Sequence, residues 1–209
     1  MAYGMEFRNG SDVVTLDSEY SRLSILQKGR YSGGATFSPA ITTQEPPLVF
    51  VRPDATSTFS YVTILGTPGN WTGFSFLVDG AGSFFVAAFQ ARPVATYGFR
   101  LWGPSANLLI DSGTPCAQFT RTITDWTYLG SSSTGQGTTK SSWTATSPLN
   151  TGDYMLVNNI GMDVGGASTR FCKLYCTWDY QNNRIVPFVE GVANSIYLYI
   201  SVTFAKPIT

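Results

Sequence analysis

The chain has 209 residues, 13 basic and 13 acidic side chains that cancel, and 43% apolar content, enough to bury a core in one large β domain or two smaller ones. Charged residues are only 12%, aromatics reach 14%, and 21 Gly with 11 Pro accompany them, a balance that excludes a disordered chain and suits short strands joined by tight turns. Zero net charge removes the electrostatic case for binding nucleic acid or an anionic membrane surface, and no run of about 18 apolar residues predicts a membrane span.

The N-terminus lacks the basic-then-apolar profile of a secretory signal, so assembly in a cytoplasm is the expectation. The first predicted element is a β-hairpin. Met5 and Phe7 alternate with Glu6 and Arg8, Asn9-Gly10 supplies the turn, and Val14 and Leu16 return on the apolar face before Asp17-Ser18 closes it. Residues 21–26 alternate as a third strand that Gly29 to Gly34 is expected to break. Leu48 to Pro53 reads as a strand fenced by prolines, which belong at strand ends or edges. Residues 58–65 and 71–78 flank the turn cluster Gly66-Thr67-Pro68-Gly69-Asn70 as a meander, and residues 83–90 are apolar and β-prone enough for a buried strand.

The opening hairpin then recurs, spaced 94 residues, from Tyr3 to Tyr97. Tyr3-Gly4 matches Tyr97-Gly98, Asp17-Ser18 matches Asp111-Ser112, and Phe99, Leu101, Leu108 and Ile110 keep the apolar positions. Gly103-Pro104 stands at the second turn. Because Ala91-Arg92-Pro93-Val94-Ala95-Thr96 directly precedes this copy, the expected architecture is all-β: two β-sandwich-like lobes of antiparallel sheets, residues 1–94 and 95–209, each opening with a β-hairpin. One single β-sandwich domain is the alternative.

Strands are predicted over residues 116–123 and 125–129, then a polar loop from Gly130 to Thr139, and another strand over 153–157. The last third is the clearest β text. Cys172, Leu174, Cys176 and Trp178 face one way and Phe171, Lys173, Tyr175 and Thr177 the other, before Gln181-Asn182-Asn183 turns into residues 184–189. A final strand places Ile196, Leu198, Ile200, Val202 and Phe204 on a core face, with Tyr197 and Tyr199 opposite.

The chain contains no histidine, which removes Ser-His and Cys-His dyads and His-ligated metals. No enzyme activity, metal or other cofactor is expected. Asp79, Asp111, Asp153, Asp163 and Asp179 sit mostly beside Gly or Asn and read as turn formers rather than as a glycosidase pair. Cys172 and Cys176, four apart in a strand, are roughly 13 Å from each other at about 3.3 Å per residue, too far for a disulfide, and read as small buried hydrophobes. The aromatic residues carry the remaining binding potential. Trp126, Tyr128 and Trp143 around the Ser/Gly loop, Trp102 on the polar face of its strand, and Tyr197 and Tyr199 are the candidate partner- or glycan-binding residues, weighed against simple packing between sheets.

Three islands taken in order, Met1 through Ser18, Pro46-Pro47-Leu48-Val49-Phe50-Val51-Arg52-Pro53, and Tyr97 through Ser112, resemble small virion proteins of tailed bacteriophages encoded with tail-tip, baseplate and tail-fibre genes. The resemblance implies an all-β tail component, located in the virion and assembled in the host cytoplasm. Other tail proteins would be its partners, with a homo-oligomer and a host surface glycan or protein as further expectations. The second turn departs from the Asn/Asp-Gly type usual there.

Overall fold

The computed structural model describes residues 6–8, 10–11, 14–17, 22–134, 138–145, 152–163, 173–191 and 196–208. Among them the chain forms only strands and turns: β1 (Glu6–Arg8), β2 (Val14–Asp17), β3 (Leu23–Ser32), β4 (Gly34–Ile41), β5 (Leu48–Pro53), β6 (Ser57–Thr67), β7 (Asn70–Val78), β8 (Ala81–Phe89), β9 (Arg100–Trp102), β10 (Leu108–Asp111), β11 (Cys116–Ile123), β12 (Thr127–Ser133), β13 (Thr139–Thr144), β14 (Tyr154–Leu156), β15 (Lys173–Asp179), β16 (Arg184–Gly191) and β17 (Val202–Ile208).

Alternation decides how these strands stack. In β5, Val49 and Val51 point one way and Phe50 the other, and both faces are buried. Val49 and Val51 join Phe84, Val86, Met155 and Phe204 against Phe59, Phe74, Leu174, Cys176 and Trp178 of a second sheet. Phe50 stacks on Phe85 at 4.7 Å in a smaller cluster with Leu23, Ile25, Ala87 and Ala205. Each such side chain withdrawn from water contributes about 1.5–3 kcal/mol before chain entropy is charged against it. The first sheet is a six-stranded barrel, β11-β17-β14-β5-β8-β3, closed by one residue pair, Cys116 with Ser24. The second is a seven-stranded antiparallel sheet, β12-β13-β16-β15-β6-β7-β4. The all-β, antiparallel, sandwich-like architecture is as expected.

The division at residues 94/95 is corrected. Strands from both sides of it share both sheets, β3, β5 and β8 with β11, β14 and β17, and β4, β6 and β7 with β12, β13, β15 and β16. The shared core is the reason: residues as distant in sequence as Val49 and Phe204 shield one another, so neither half has a face of its own to close. What stands apart from both sheets is the pair of hairpins, β1-β2 and β9-β10.

Three further expectations shift. The break expected from Gly29 narrows to Gly33, and β4 follows at once, because Gly34 adopts φ +154° where a side chain would strike the Phe74 carbonyl. Of the loop expected over 130–139, residues 130–133 and 139 are strand, since β12 and β13 pair Ser131 with Ser141 and Ser133 with Thr139, and the Ser131 and Ser141 hydroxyls bond at 2.6 Å. The final strand begins at Val202, because the carbonyls of Ile196, Ile200 and Ser201 accept from side chains instead of a neighbouring ladder. Cys176 is fully buried 3.9 Å from Met155 Sδ, and burial pushes its thiol up, whereas Cys116 is half-buried. Cys172 lies outside the described residues.

Candidate functional site

The β9-β10 hairpin explains most of the repeated motif. Asp111 has a fully buried side chain whose Oδ1 accepts from the backbone N–H groups of Ala95 (3.0 Å) and Gly113 (2.9 Å), while Oδ2 accepts from Arg100 Nε at 2.7 Å. Arg100 also donates to the Ala95 carbonyl at 2.8 Å. The guanidinium, with those backbone donors, holds the Asp111 carboxyl below its ordinary value against the opposing effect of burial. Ser112 closes the hairpin by exchanging two bonds with Phe99, accepting at Oγ from its N–H (3.0 Å) and donating its own N–H to its carbonyl (2.9 Å). That hydroxyl occupies the space a Cβ at position 98 would need, and Gly98 has φ +145°, so glycine and serine are coupled across the hairpin.

The two copies share one register. Glu6 pairs with Asp17, Phe7 with Leu16 and Arg8 with Val14, and at the same spacing Arg100 pairs with Asp111, Leu101 with Ile110 and Trp102 with Leu108. Each slips once, past Thr15 and past Leu109. The slip corrects the expected faces in the second copy: Leu109 and Ile110 are both buried and Phe99 is exposed, while Trp102 is exposed as its polar-face position predicts. Tyr3, Gly4 and Ser18 lie outside the described residues. Tyr97 is 92% exposed and makes no hydrogen bond or ring contact with any described residue, so nothing inside the hairpin requires it.

The aromatic candidates separate by role. Trp143 is 1% exposed, a correction to its reading as a surface residue, and it donates Nε1–H to the Ile196 carbonyl at 3.1 Å. Trp126, half-buried against the shared core, donates to the Ile200 carbonyl at 2.9 Å. The two indoles therefore pin one extended segment, whose Leu198 and Ile200 pack inward while Tyr197 and Tyr199 project with nearly parallel rings 6.2 Å apart. Tyr128 lies beside Trp143 at 5.8 Å and bonds Ser131 through its hydroxyl at 2.6 Å. These five residues meet at one corner, and Trp102 belongs to the separate hairpin, beside Gly98 and Arg100 around a hollow of about 270 Å³.

A second aromatic group went unforeseen. Tyr61, Tyr175 and Phe188 gather on the side of the seven-stranded sheet that faces away from the shared core, with centroid spacings of 5.4 and 5.3 Å. Burial, then a hydrogen bond with Tyr61, raises the Tyr175 phenol above its ordinary value. The available signal was Tyr175 at the core-opposite parity of its strand. Among the described residues no group of three or more His, Cys, Asp or Glu is placed to hold a metal ion. The chain matches no protein-family model, no curated protein and no solved structure.

Proposed function

We infer that this chain is a structural component of a bacteriophage tail, a distal-tail, baseplate or fibre-attachment protein that works through protein–protein contacts rather than catalysis. The observation that carries the reading is Tyr97. Of the four residues that define the repeat, Gly98, Asp111 and Ser112 are engaged within the hairpin, whereas Tyr97 is almost wholly in solvent. A tyrosine that recurs at the same sequence position of two hairpins of equal register, and that is exposed at Tyr97, fits the aromatic anchor of a protein interface. A two-stranded hairpin is marginal alone, and docking on a partner supplies the missing support. A chain without histidine and with few charges suits assembly, and its aromatic faces suit a homo-oligomer joined to other tail proteins in the virion.

The experiment is replacement of Tyr3 and Tyr97 by Ala in the phage, with virions imaged after labelling by antibody against this chain. The expected result is tail-end labelling of the parent virion and loss of the chain from particles carrying Tyr3→Ala/Tyr97→Ala, while the purified variant keeps its unfolding midpoint. Capsid labelling, or full incorporation of the double variant, would sink the reading.

A further inference from the structure

The seam between β3 and β11 opens into a cleft whose charges all carry one sign. On the edge of β3 that faces β11 the ladder is a single pair, Cys116 with Ser24, extended by one bond from the Ile25 N–H to the Pro115 carbonyl at 2.7 Å. Past that bond β3 slips register at Leu26, and the chain opposite it leaves the barrel for the β9-β10 hairpin. A cavity of about 310 Å³ stands in the gap. Ile25 and Lys28 of β3 line it together with Pro207 of β17 and with Arg92, Val94 and Pro115 of the two segments that enter and leave the hairpin.

The chemistry of this cleft is lopsided. Its walls are apolar, and its neutral polar side chains are already engaged elsewhere. Gln27 accepts from the Ser38 N–H at 3.0 Å and donates to the Pro39 carbonyl at 2.6 Å, and Thr114 donates to the Arg92 carbonyl at 2.8 Å. The charged side chains are Lys28 and Arg92, and among the described residues no carboxylate joins them in the lining. The ion pairs among the described residues are Arg30–Asp54, Arg100–Asp111, Lys173–Asp163 and Arg184–Asp179, so both cations of the cleft stand without a counter-charge.

Two uncompensated cations beside an apolar cavity complement a ligand with one negative group and an apolar body, and the guanidinium fork matches a carboxylate in particular. The volume lies at the lower end of ligand sites, about 300–1,000 Å³, which suits one short chain rather than a fused ring system. We propose that this cleft binds an alkyl carboxylate, a short- to medium-chain fatty acid. Its head lies between Lys28 and Arg92 and its chain against Ile25, Val94, Pro115 and Pro207. Because one wall belongs to the barrel and the other to the segments that carry the hairpin, the bound acid ties the two together and shields the bond between Ile25 and Pro115. The proposal stands independently of the tail assignment, because it concerns the isolated chain and makes no use of Tyr97.

The test is a calorimetric titration of the full chain with straight-chain carboxylates from butanoate to decanoate, below their micelle-forming concentrations, beside the alcohols and amines of equal length. Carboxylates are expected to tighten about fourfold per added methylene until the chain outgrows the cavity, where the gain stops. Alcohols are expected to bind at least tenfold more weakly and amines not at all. Lys28→Gln/Arg92→Gln is expected to keep the unfolding midpoint and to weaken the carboxylates at least tenfold while leaving the alcohols unmoved. Added salt, which screens exposed charge, is expected to weaken the carboxylates alone, and it decides the matter if the double variant does not fold. Val94→Trp narrows the cleft at a residue 57% exposed and is expected to weaken decanoate more than butanoate. Saturating carboxylate is expected to slow amide exchange at Ile25 at least threefold, and Tyr97→Ala to leave the affinity unchanged. Absence of carboxylate binding, equal binding of the three head groups, a gain with chain length that never stops, or affinity unaltered in the folded double variant would overturn the proposal.

Discussion

Two hairpins of this molecule are closed by the same device in opposite surroundings. At the β15-β16 turn, Asp179 accepts from the Asn182 side chain (2.8 Å), the Asn182 N–H (3.2 Å) and Arg184 Nε (2.9 Å), as Asp111 accepts from Arg100 and two backbone donors beside β9-β10. Above the Asp179 latch, Leu174, Cys176, Trp178 and Ile185 are buried in the shared core, so packing would hold β15 against β16 without it. β9-β10 joins neither sheet, and its latch has far less packing behind it. One carboxylate motif is therefore a trim on a hairpin fixed by the core and the principal fastening of a hairpin that presents a surface.

The largest test of that contrast replaces a tryptophan in each hairpin. Trp178→Ala removes a ring 2% exposed and is expected to lower global stability by about 3–5 kcal/mol in urea unfolding. Trp102→Ala removes one 53% exposed and is expected to cost about 0.5 kcal/mol or less. Equal losses would mean that β9-β10 is integral to the core. A smaller, local effect is expected from Gly98→Ala, about 1–3 kcal/mol of opening free energy read by amide exchange over residues 95–112, with the global midpoint unmoved. Ser112→Gly added to it relieves the collision with Oγ and is expected to restore part of that protection, the positive φ remaining.

Acid should separate nothing until late. The bonds of Asp111 and Asp179 depress both carboxyls below the ordinary 3.8, so what the latches contribute is complete well above that value and is lost as pH falls through the lower folded-state values. Protection of both turns is expected to be flat from pH 7 to about 5 and to fall only below 3.8, with β9-β10 opening first. Loosening near pH 5 would refute the latch assignment.

Much of this was legible in the residues, and the limits are physical. β5 and β11 follow from runs whose alternation and punctuation read as strand, β8 from a run whose Phe and Val content and length favour strand over a helical turn and a half, and the repeated hairpin is visible because two copies of one solution recur. The faces of β15 are as alternation requires, with Leu174, Cys176 and Trp178 inward. Trp143 was misplaced because it was judged by its closeness to the polar loop expected over 130–139, and no strand was predicted over residues 140–144 whose faces could have been compared. The contact of the Lys140 ammonium with the Phe188 ring, 3.7 Å from its centre, was illegible for another reason: the two residues come from β13 and β16, and only their register makes them neighbours.

The single pair that closes the barrel has a mechanical consequence. β11 starts where the β9-β10 hairpin ends: Thr114 donates to the Arg92 carbonyl at 2.8 Å, the Pro115 carbonyl accepts from Ile25 at 2.7 Å, and Cys116 makes the only paired contact with β3. Tension applied through the hairpin would thus reach the seam at Cys116, the same residue that begins the β11-β17 ladder, and there one residue pair with β3 stands against seven with β17. The barrel is a split ring whose catch sits at the base of its own handle, so load on the hairpin would be spent on opening one seam while the shared core keeps its shape.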